Sequence, residues 1–470
     1  MVTFYNRQEE LQVLAQRWEA PDGQFALLYG RRRVGKTYLL QHLLEGKPHA
    51  YFLAAQTSLA DNLSQLAEAV LSAVPGSGYT AADLPTFNSI LRFIGSTAGK
   101  TRLAVVLDEF QYLLQQDPSL PSQIQAWWDT DGIRSKVFLV LCGSHLGMMD
   151  GLGGAQQPLF GRFTFRYKLP PMRYDDIARF YDSSRYSSRE KLIAYGVLGG
   201  TPRYHALLNP RVDLGRNICD LILSPLGTLH NEPEVLMSSS QVRDPTPYNA
   251  VLLAIASGCT KFNEIAQRVD SSTPQLSFYL KSLLELEWIT RERPFAETSE
   301  KRSIYAIADN FLLFWYRFVA PLRSQLELQE VSRVYKTRVL PHLDDFMGRY
   351  VFEDICLQYL KKNAALRHDL QIRDAGRYWS RDGSVEIDIV GDLDDGTTLA
   401  CECKWSSSPV GVSVYYELMR KVSLLPPPRG TGPVRYALFS AAGFDENMVE
   451  AAARDDVLLV SGEELLGNRP

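Results

Sequence analysis

The sequence predicts an α/β protein of several domains, and three observations carry that prediction. The chain has 470 residues, more than one ordinary core needs, so two to four domains are expected. Residues 1–170 alternate short apolar runs with amphipathic stretches, the pattern of strands and helices in an α/β sheet. Residues 323–470 return to that alternation after a long helical interval. A composition of 45% hydrophobic and 22% charged residues fits a globular chain.

In the first domain, 1–170, "QFALLYG" reads as a buried strand and "KTYLLQHLL" as the helix after it. "RLAVVLDEF" and "KVFLVLCGS" read as two further strands. Residues 171–243 are helical and form a lid. A polar, proline-containing break, "RDPTPYN" at 243–249, reads as a linker. Residues 244–322 read helix, helix, turn, helix, then two strands around a polar loop, which is a winged helix-turn-helix. Ser272 or Thr273 can cap its third helix, Pro274 fits the first turn, and Leu276, Leu280 and Leu283 form the buried stripe. The last domain, 323–470, has a helix, the hairpin "GSVEIDIVGDLDDGTTLACECKW", another helix and further strands, hence a mixed sheet. "PPPRGTGP" reads as a loop.

A net charge of −4 confines any nucleic-acid site to a local basic patch. The six cysteines form no CxxC pair, which argues for a reducing compartment and against a disulfide framework. The N-terminal stretch lacks an apolar signal core, and no stretch approaches a membrane span. A cytoplasmic location and no membrane partner are therefore expected.

"GRRRVGKT" fits G-x-x-x-x-G-K-[ST] between a predicted strand and a predicted helix. Gly30, Arg31, Arg32, Arg33, Val34 and Gly35 are expected to wrap phosphate with backbone N–H groups, and the helix N-terminus through Tyr38 adds its dipole. Lys36 reaches the β- and γ-phosphates, and Thr37 offers a hydroxyl to Mg²⁺. Asp108 ends an apolar strand and can hold Mg²⁺ through water, while Glu109 can polarise the attacking water. In this order the motifs predict ATP binding and hydrolysis. Ser144 or His145 can sense the γ-phosphate, and Arg162, Pro202 and Arg203 are candidates near the nucleotide. Each also has a plain reading as surface or helix break.

"FYNRQEEL", "GRRRVGKTYLL", "VLDEFQYL", "LCGS", "PLFGRF" and "GGTPRY", in this order, resemble the archaeal-type ATPases of the STAND branch of P-loop NTPases. Many of these AAA-like proteins continue into a winged helix and a C-terminal nuclease-like domain. The resemblance implies ATP as nucleotide, Glu109 as water activator and Arg162 as a charge sensor, acting in cis or in trans. Sensor arginines that act in trans imply a homo-oligomer. His145 departs from the small polar residue usual in relatives.

Glu402 and Lys404 lie two apart on one strand, so both point to one face. Pairing of "VEIDIV" with "TLACECKW" brings Asp388 near that face. Two converging carboxylates repel unless a divalent cation, Mg²⁺ or Mn²⁺, sits between them. Lys404 can then orient water or stabilise the charge of a pentavalent phosphate, and Glu353 can add an acid from the preceding helix. The D…E-x-K set resembles the PD-(D/E)xK nuclease core of restriction-endonuclease-like domains, without the signature proline. It implies a metal-dependent deoxyribonuclease. Two other readings stay open: a retained fold without catalysis, used for docking, and an ordinary Glu–Lys pair worth about 0.2–1 kcal/mol. Cys401 and Cys403 read as core residues.

The third helix of the winged helix exposes Gln275, Ser277 and Lys281, while the wing carries Arg291, Arg293, Lys301 and Arg302 for phosphates. The expected function is an ATP-hydrolysing DNA-binding protein with a metal-dependent nuclease domain. The alternative is an ATP-controlled switch whose nuclease-like domain only docks DNA or protein.

Overall fold

The structure is a computed structural model that describes residues 5–99, 101–240, 242, 244–426, 429 and 432–467. Arg243, which opens the predicted linker, and parts of the loop at 426–433 lie outside the described residues. The chain divides into two compact units, residues 1–171 with 201–203, and residues 172–200 with 204–470.

The first unit is built on a five-stranded sheet. Its strands are β1 (Gln24–Tyr29), β2 (His49–Leu53), β3 (Leu103–Asp108), β4 (Val137–Gly143) and β5 (Phe165–Lys168), in the order β2-β3-β4-β1-β5. Every pairing is parallel. Parallel strands need crossovers, and helices on both faces bury the sheet, so central strands become continuous apolar runs. β1, β3 and β4 are buried at every residue, whereas the edge strands β2 and β5 alternate. Phe25 and Leu27 pack into one core, and Ala26 and Leu28 pack into the core on the opposite face. The first core holds the helices Leu59–Ser72 and Phe87–Ala98, and the second holds Gln8–Glu19 and Lys36–Leu44. The layers put the C-terminal ends of β1, β3 and β4 side by side, and the nucleotide motifs sit there.

The second unit begins with helices. Ser188–Leu198 starts on a capping box between Ser187 and Glu190. Three helices follow, Thr246–Ala256, Phe262–Val269 and Thr273–Glu285, then an antiparallel ribbon of β6 (Ile289–Glu292) and β7 (Ile304–Ile307). Leu276, Leu280 and Leu283 are buried as their spacing requires. Ser272 is the N-cap of its helix, but its hydroxyl donates to Gln275 Oε1 at 2.9 Å rather than accepting a backbone N–H.

A second sheet has β8 (Ile372–Trp379), β9 (Glu386–Leu393), β10 (Thr398–Lys404), β11 (Val434–Ser440) and β12 (Leu458–Ser461), in the order β12-β11-β10-β9-β8. β8 with β9 and β9 with β10 pair antiparallel, and β10 with β11 and β11 with β12 pair parallel. The sheet is therefore mixed. One core runs from Leu276 and Trp288 through Phe346 and Tyr359 to Phe439 and Val460. The boundaries read from the sequence at 243 and 322 both fall inside this unit.

Candidate active site

Between β1 and the helix Lys36–Leu44, the loop Gly30–Gly35 turns back on itself. Gly35 has φ of +100°, open to glycine and strained for side chains, and it caps the helix. Arg33 also takes a positive φ, of +67°. Val34 is buried beneath the loop, Arg31, Arg32 and Arg33 are half-buried, and Tyr38 is exposed on the helix. Arg32 donates to the Tyr112 hydroxyl at 3.0 Å. Lys36 is 6% exposed, and its ammonium donates to the carbonyls of Gly30, at 2.8 Å, and Arg31, at 3.0 Å. The two carbonyls hold the ammonium in place for an anion bound by the loop. Pro202 joins this unit and places Cγ 3.8 Å from where a side chain at Gly35 would begin.

Asp108 ends β3, almost wholly buried. Its Oδ2 accepts from the Thr37 hydroxyl at 2.9 Å and from the Tyr51 hydroxyl at 2.5 Å, and its Oδ1 accepts the Glu109 N–H at 2.9 Å. A hydroxyl beside a carboxylate is a donor set of hard oxygens, which suits Mg²⁺. A Mg²⁺ ion arriving with nucleotide would be held by Thr37 and Asp108 and would neutralise phosphate charge. Tyr51 was not foreseen. It lies on β2 in register with Val106, two residues before Asp108. Burial, then the nearby Asp108 charge, pushes its hydroxyl pKa well up, so it stays a donor.

Glu109 follows with φ of +52°, the left-handed region, where a non-glycine residue costs about 1–3 kcal/mol. The Phe110 N–H donates to Cys142 O at 2.9 Å and ties the turn to β4. The Glu109 carboxylate accepts from the Ser144 hydroxyl at 2.7 Å and from the Gln111 side-chain amide. Gln111 also reaches the Ser144 hydroxyl at 3.3 Å. Gly143 leaves the room: a Cβ there would collide with Gln111 Oε1 and Met149. Ser144 therefore touches the carboxylate expected to activate water. His145 does not join them, because its Nδ1 accepts the Met148 N–H at 3.3 Å and caps the next helix.

Arg162 stands apart from this cluster. Its guanidinium makes two bonds to Asp129, at 2.9 and 2.8 Å, and donates to the carbonyls of Pro158 and Phe160. Those bonds hold its pKa above the usual arginine value, the hydrogen bond to Asp129 contributing most.

In the second unit, β9 and β10 pair as far as Cys401 opposite Ile389, and Asp388 and Glu402 are the next residues on the two strands. The Cys403 N–H donates to Asp388 Oδ2 at 2.7 Å. Glu402 is 4% exposed, and two ammoniums hold it: Lys404 at 2.6 Å, and Lys421 at 2.9 and 3.0 Å. Lys421 comes from the helix Val412–Ser423 and was not foreseen. Burial, then the Glu402 charge, lifts the Asp388 pKa to about 6, opposed by Lys404 and Lys421. Burial works against the Lys404 charge, but Asp388 and Glu402 outweigh it and raise its pKa. Glu353 points its carboxylate to Arg377 at 2.7 Å, and burial lifts its pKa to about 8 against that arginine. Among the described residues, no three His, Cys, Asp or Glu side chains converge as a metal cluster. The two carboxylates have the right chemistry for a divalent cation. In this arrangement, though, both Glu402 oxygens already carry ammonium partners, so the set does not fit a metal as it stands. Cys401 and Cys403 are buried in the core.

The arginines expected to contact phosphate from the β6–β7 ribbon are also engaged. Arg291 pairs with Glu300 at 2.7 Å and Arg302 with Glu297 at 3.1 Å, while Arg293 donates to Thr298 O at 3.3 Å. On the third helix, Lys281 lies 3.9 Å from Glu285.

Known proteins fall in line with the first unit. Residues 4–208 match the family described as an ATPase domain predominantly from Archaea. The chain carries an archaeal-type P-loop ATPase domain. In this ATPase, residues 315–414 match a second family, described as archaeal and bacterial proteins of unknown function. An uncharacterized protein of Methanocaldococcus jannaschii is 27% identical over 432 residues, covering 90% of this chain and 92% of that protein. An uncharacterized ATP-binding protein of the same organism is 49% identical over 47 residues, 10% of this chain and 80% of that one. A Walker-type ATPase of Pyrococcus abyssi has a similar fold, with a TM-score of 0.54 at 21% identity. It covers 67% of this chain and 96% of its own. Among the described residues, no helix of the ATPase is long and apolar enough to cross a membrane.

Proposed function

We propose that this ATPase couples ATP turnover to DNA binding in the cytoplasm, with a helical lid, a winged helix and a restriction-endonuclease-like domain downstream of the nucleotide site. One observation carries the hydrolytic part. Thr37 meets Asp108 at 2.9 Å while Glu109 is held by the side chains of Ser144 and Gln111, so neutral donors orient both carboxylates. Lys36 and the loop N–H groups bind the triphosphate, and Glu109 orients the attacking water. The DNA part is supported by three helices followed by an antiparallel ribbon, the element order of a winged helix. The test is ATP turnover with and without DNA. Stimulation by DNA supports the coupling, and turnover indifferent to every DNA form leaves an ATPase without it. Arg162 acts, on this reading, on a neighbouring copy in a homo-oligomer.

For the second sheet, docking without cleavage is favoured by the two lysines that neutralise Glu402. Metal-dependent cleavage has one observation on its side: Asp388 is pushed toward its protonated form partly by Glu402, the repulsion a cation would relieve. Incubation with duplex, forked and single-stranded DNA in Mg²⁺ or Mn²⁺ separates them. Cutting that vanishes in Asp388→Ala and Glu402→Ala establishes the nuclease.

A further inference from the structure

The second unit contains an open groove of about 770 Å³ that neither the nucleotide site nor the acid–lysine cluster uses. Its walls come from the helices Thr246–Ala256 and Phe262–Val269 and from the segments 315–322 and 335–342. The floor is apolar, with Leu253, Phe318 and Leu322. The rim is basic: the guanidiniums of Arg268 and Arg338 are exposed beside the imidazole of His342, and Arg317 is partly buried. Among the described residues no carboxylate lines it. Arg317 is committed to the fold, because it donates to Ala256 O at 2.9 Å and to the Tyr350 hydroxyl at 3.2 Å.

Arg268 and Arg338 form no ion pair or side-chain hydrogen bond among the described residues. The arginines of the β6–β7 ribbon, by contrast, each have a carboxylate or carbonyl partner. In a chain of net charge −4, unneutralised arginines around an apolar floor make a local field that attracts anions.

We infer that this groove takes the sugar–phosphate backbone of DNA. Phosphates meet the guanidiniums of Arg268 and Arg338, and deoxyribose and base faces lie against Leu253 and Leu322. The cations sit on separate segments, which suits a repeating anion better than a single one. None of the residues lining the groove comes from the helix Thr273–Glu285, so the contact does not use that helix. The inference rests on the DNA-binding reading above and moves the phosphate contacts from the wing to the groove.

The test is fluorescence anisotropy of a labelled DNA duplex and a single strand of unrelated sequence, titrated with the full chain at several salt concentrations. The proteins are the wild type, Arg268→Gln with Arg338→Gln, and Arg291→Ala with Arg293→Ala. The groove pair is expected to weaken binding at least about tenfold and to flatten the salt dependence by roughly two counterions, equally for unrelated sequences. The wing pair is expected to stay within about twofold. Because Arg268 and Arg338 are exposed, circular dichroism melting should show both variants folded. Wild-type binding lost in the wing pair and kept in the groove pair overturns the groove and leaves the DNA reading standing. A wild type that binds neither DNA form overturns both.

Discussion

Two pairs of carboxylates in this protein are buried to a similar degree and treated in opposite ways. Asp108 and Glu109 are surrounded by neutral donors, the hydroxyls of Thr37, Tyr51 and Ser144 and the amide of Gln111. Glu402 is surrounded by ammoniums, Lys404 and Lys421, with Asp388 alongside. Neutral donors fix a carboxylate's direction without cancelling its charge, so the first pair can still bind a cation and activate water. Ammoniums satisfy the charge itself, and a buried ion pair is stable only while both partners stay. On the proposed reading, the first pair is set up for a cation that comes and goes with nucleotide. The second already has its cations in the chain.

The largest effects should come from the first pair. Glu109→Gln is expected to keep ATP bound and lower kcat by orders of magnitude, because the ion's ligands survive and water activation does not. Lys36→Ala should lose binding as well as turnover, as nucleotide titration beside steady-state hydrolysis will show. Equal loss of binding in both variants would give Glu109 a different role and break the contrast.

Next in size is Lys421→Ala. Removing one ammonium leaves Glu402 with a single cation, so free Mn²⁺ followed by its EPR signal without nucleotide should bind several-fold more tightly than in the wild type. The same change removes a charge that holds the Asp388 pKa down, so that pKa should climb above about 6. The sign follows from proton binding. A carboxyl with a raised folded pKa keeps its proton where the unfolded chain has released it, so stability falls as pH rises from the ordinary carboxylate range to the folded value. In Lys421→Ala that falling window should extend to higher pH, measurable by thermal unfolding across a pH series. Unchanged Mn²⁺ affinity would mean that Lys421 does not compete with metal.

The contrast was only half legible in the sequence. Gly30 to Thr37 are contiguous, and a strand before them with a helix after fixes their geometry locally. Asp108 and Glu109 could be read because an apolar strand ends on them. Tyr51 could not, because its reach to Asp108 depends on β2 lying beside β3, and strand order is not written in spacing. Lys421 was hidden similarly: "VYYELMRKV" reads as an amphipathic helix, but nothing in it says that its lysine faces β10. The hairpin register, by contrast, follows from alternation across a short turn, and Glu402 near Asp388 was foreseeable. For the wing the signal was present and half used. "RERPFAETSEKR" carries Glu297 and Glu300 among its arginines, and these carboxylates pair with Arg302 and Arg291.

A smaller effect tests whether neutral donors matter by direction alone. In Tyr51→Phe, Asp108 loses the donor that remains when Thr37 turns its oxygen toward an ion. Half-maximal ATP turnover should then need about ten- to a hundredfold more Mg²⁺, with kcat at saturating Mg²⁺ little changed, in keeping with the roughly 1.5–3 kcal/mol of a hydrogen bond to a charged group. A fall in kcat that excess Mg²⁺ does not restore would mean that Tyr51 serves the fold rather than the ion.

The smallest expected effect is that of Ser144→Ala. Its hydroxyl gives Glu109 one of two donors, and Gln111 stays in place behind Gly143. Losing one bond while the other holds the rotamer should cost about 1 kcal/mol in positioning, a fall in kcat of several-fold with little change in KM. Gln111→Ala with Ser144→Ala should exceed the product of the single effects, because Glu109 then loses both side-chain donors that fix its direction and its strained backbone no longer aims a held side chain. Steady-state kinetics on the two singles and the double form the cycle. Strict additivity would show that Ser144 and Gln111 act separately, and that the turn at Glu109 aims the carboxylate without them.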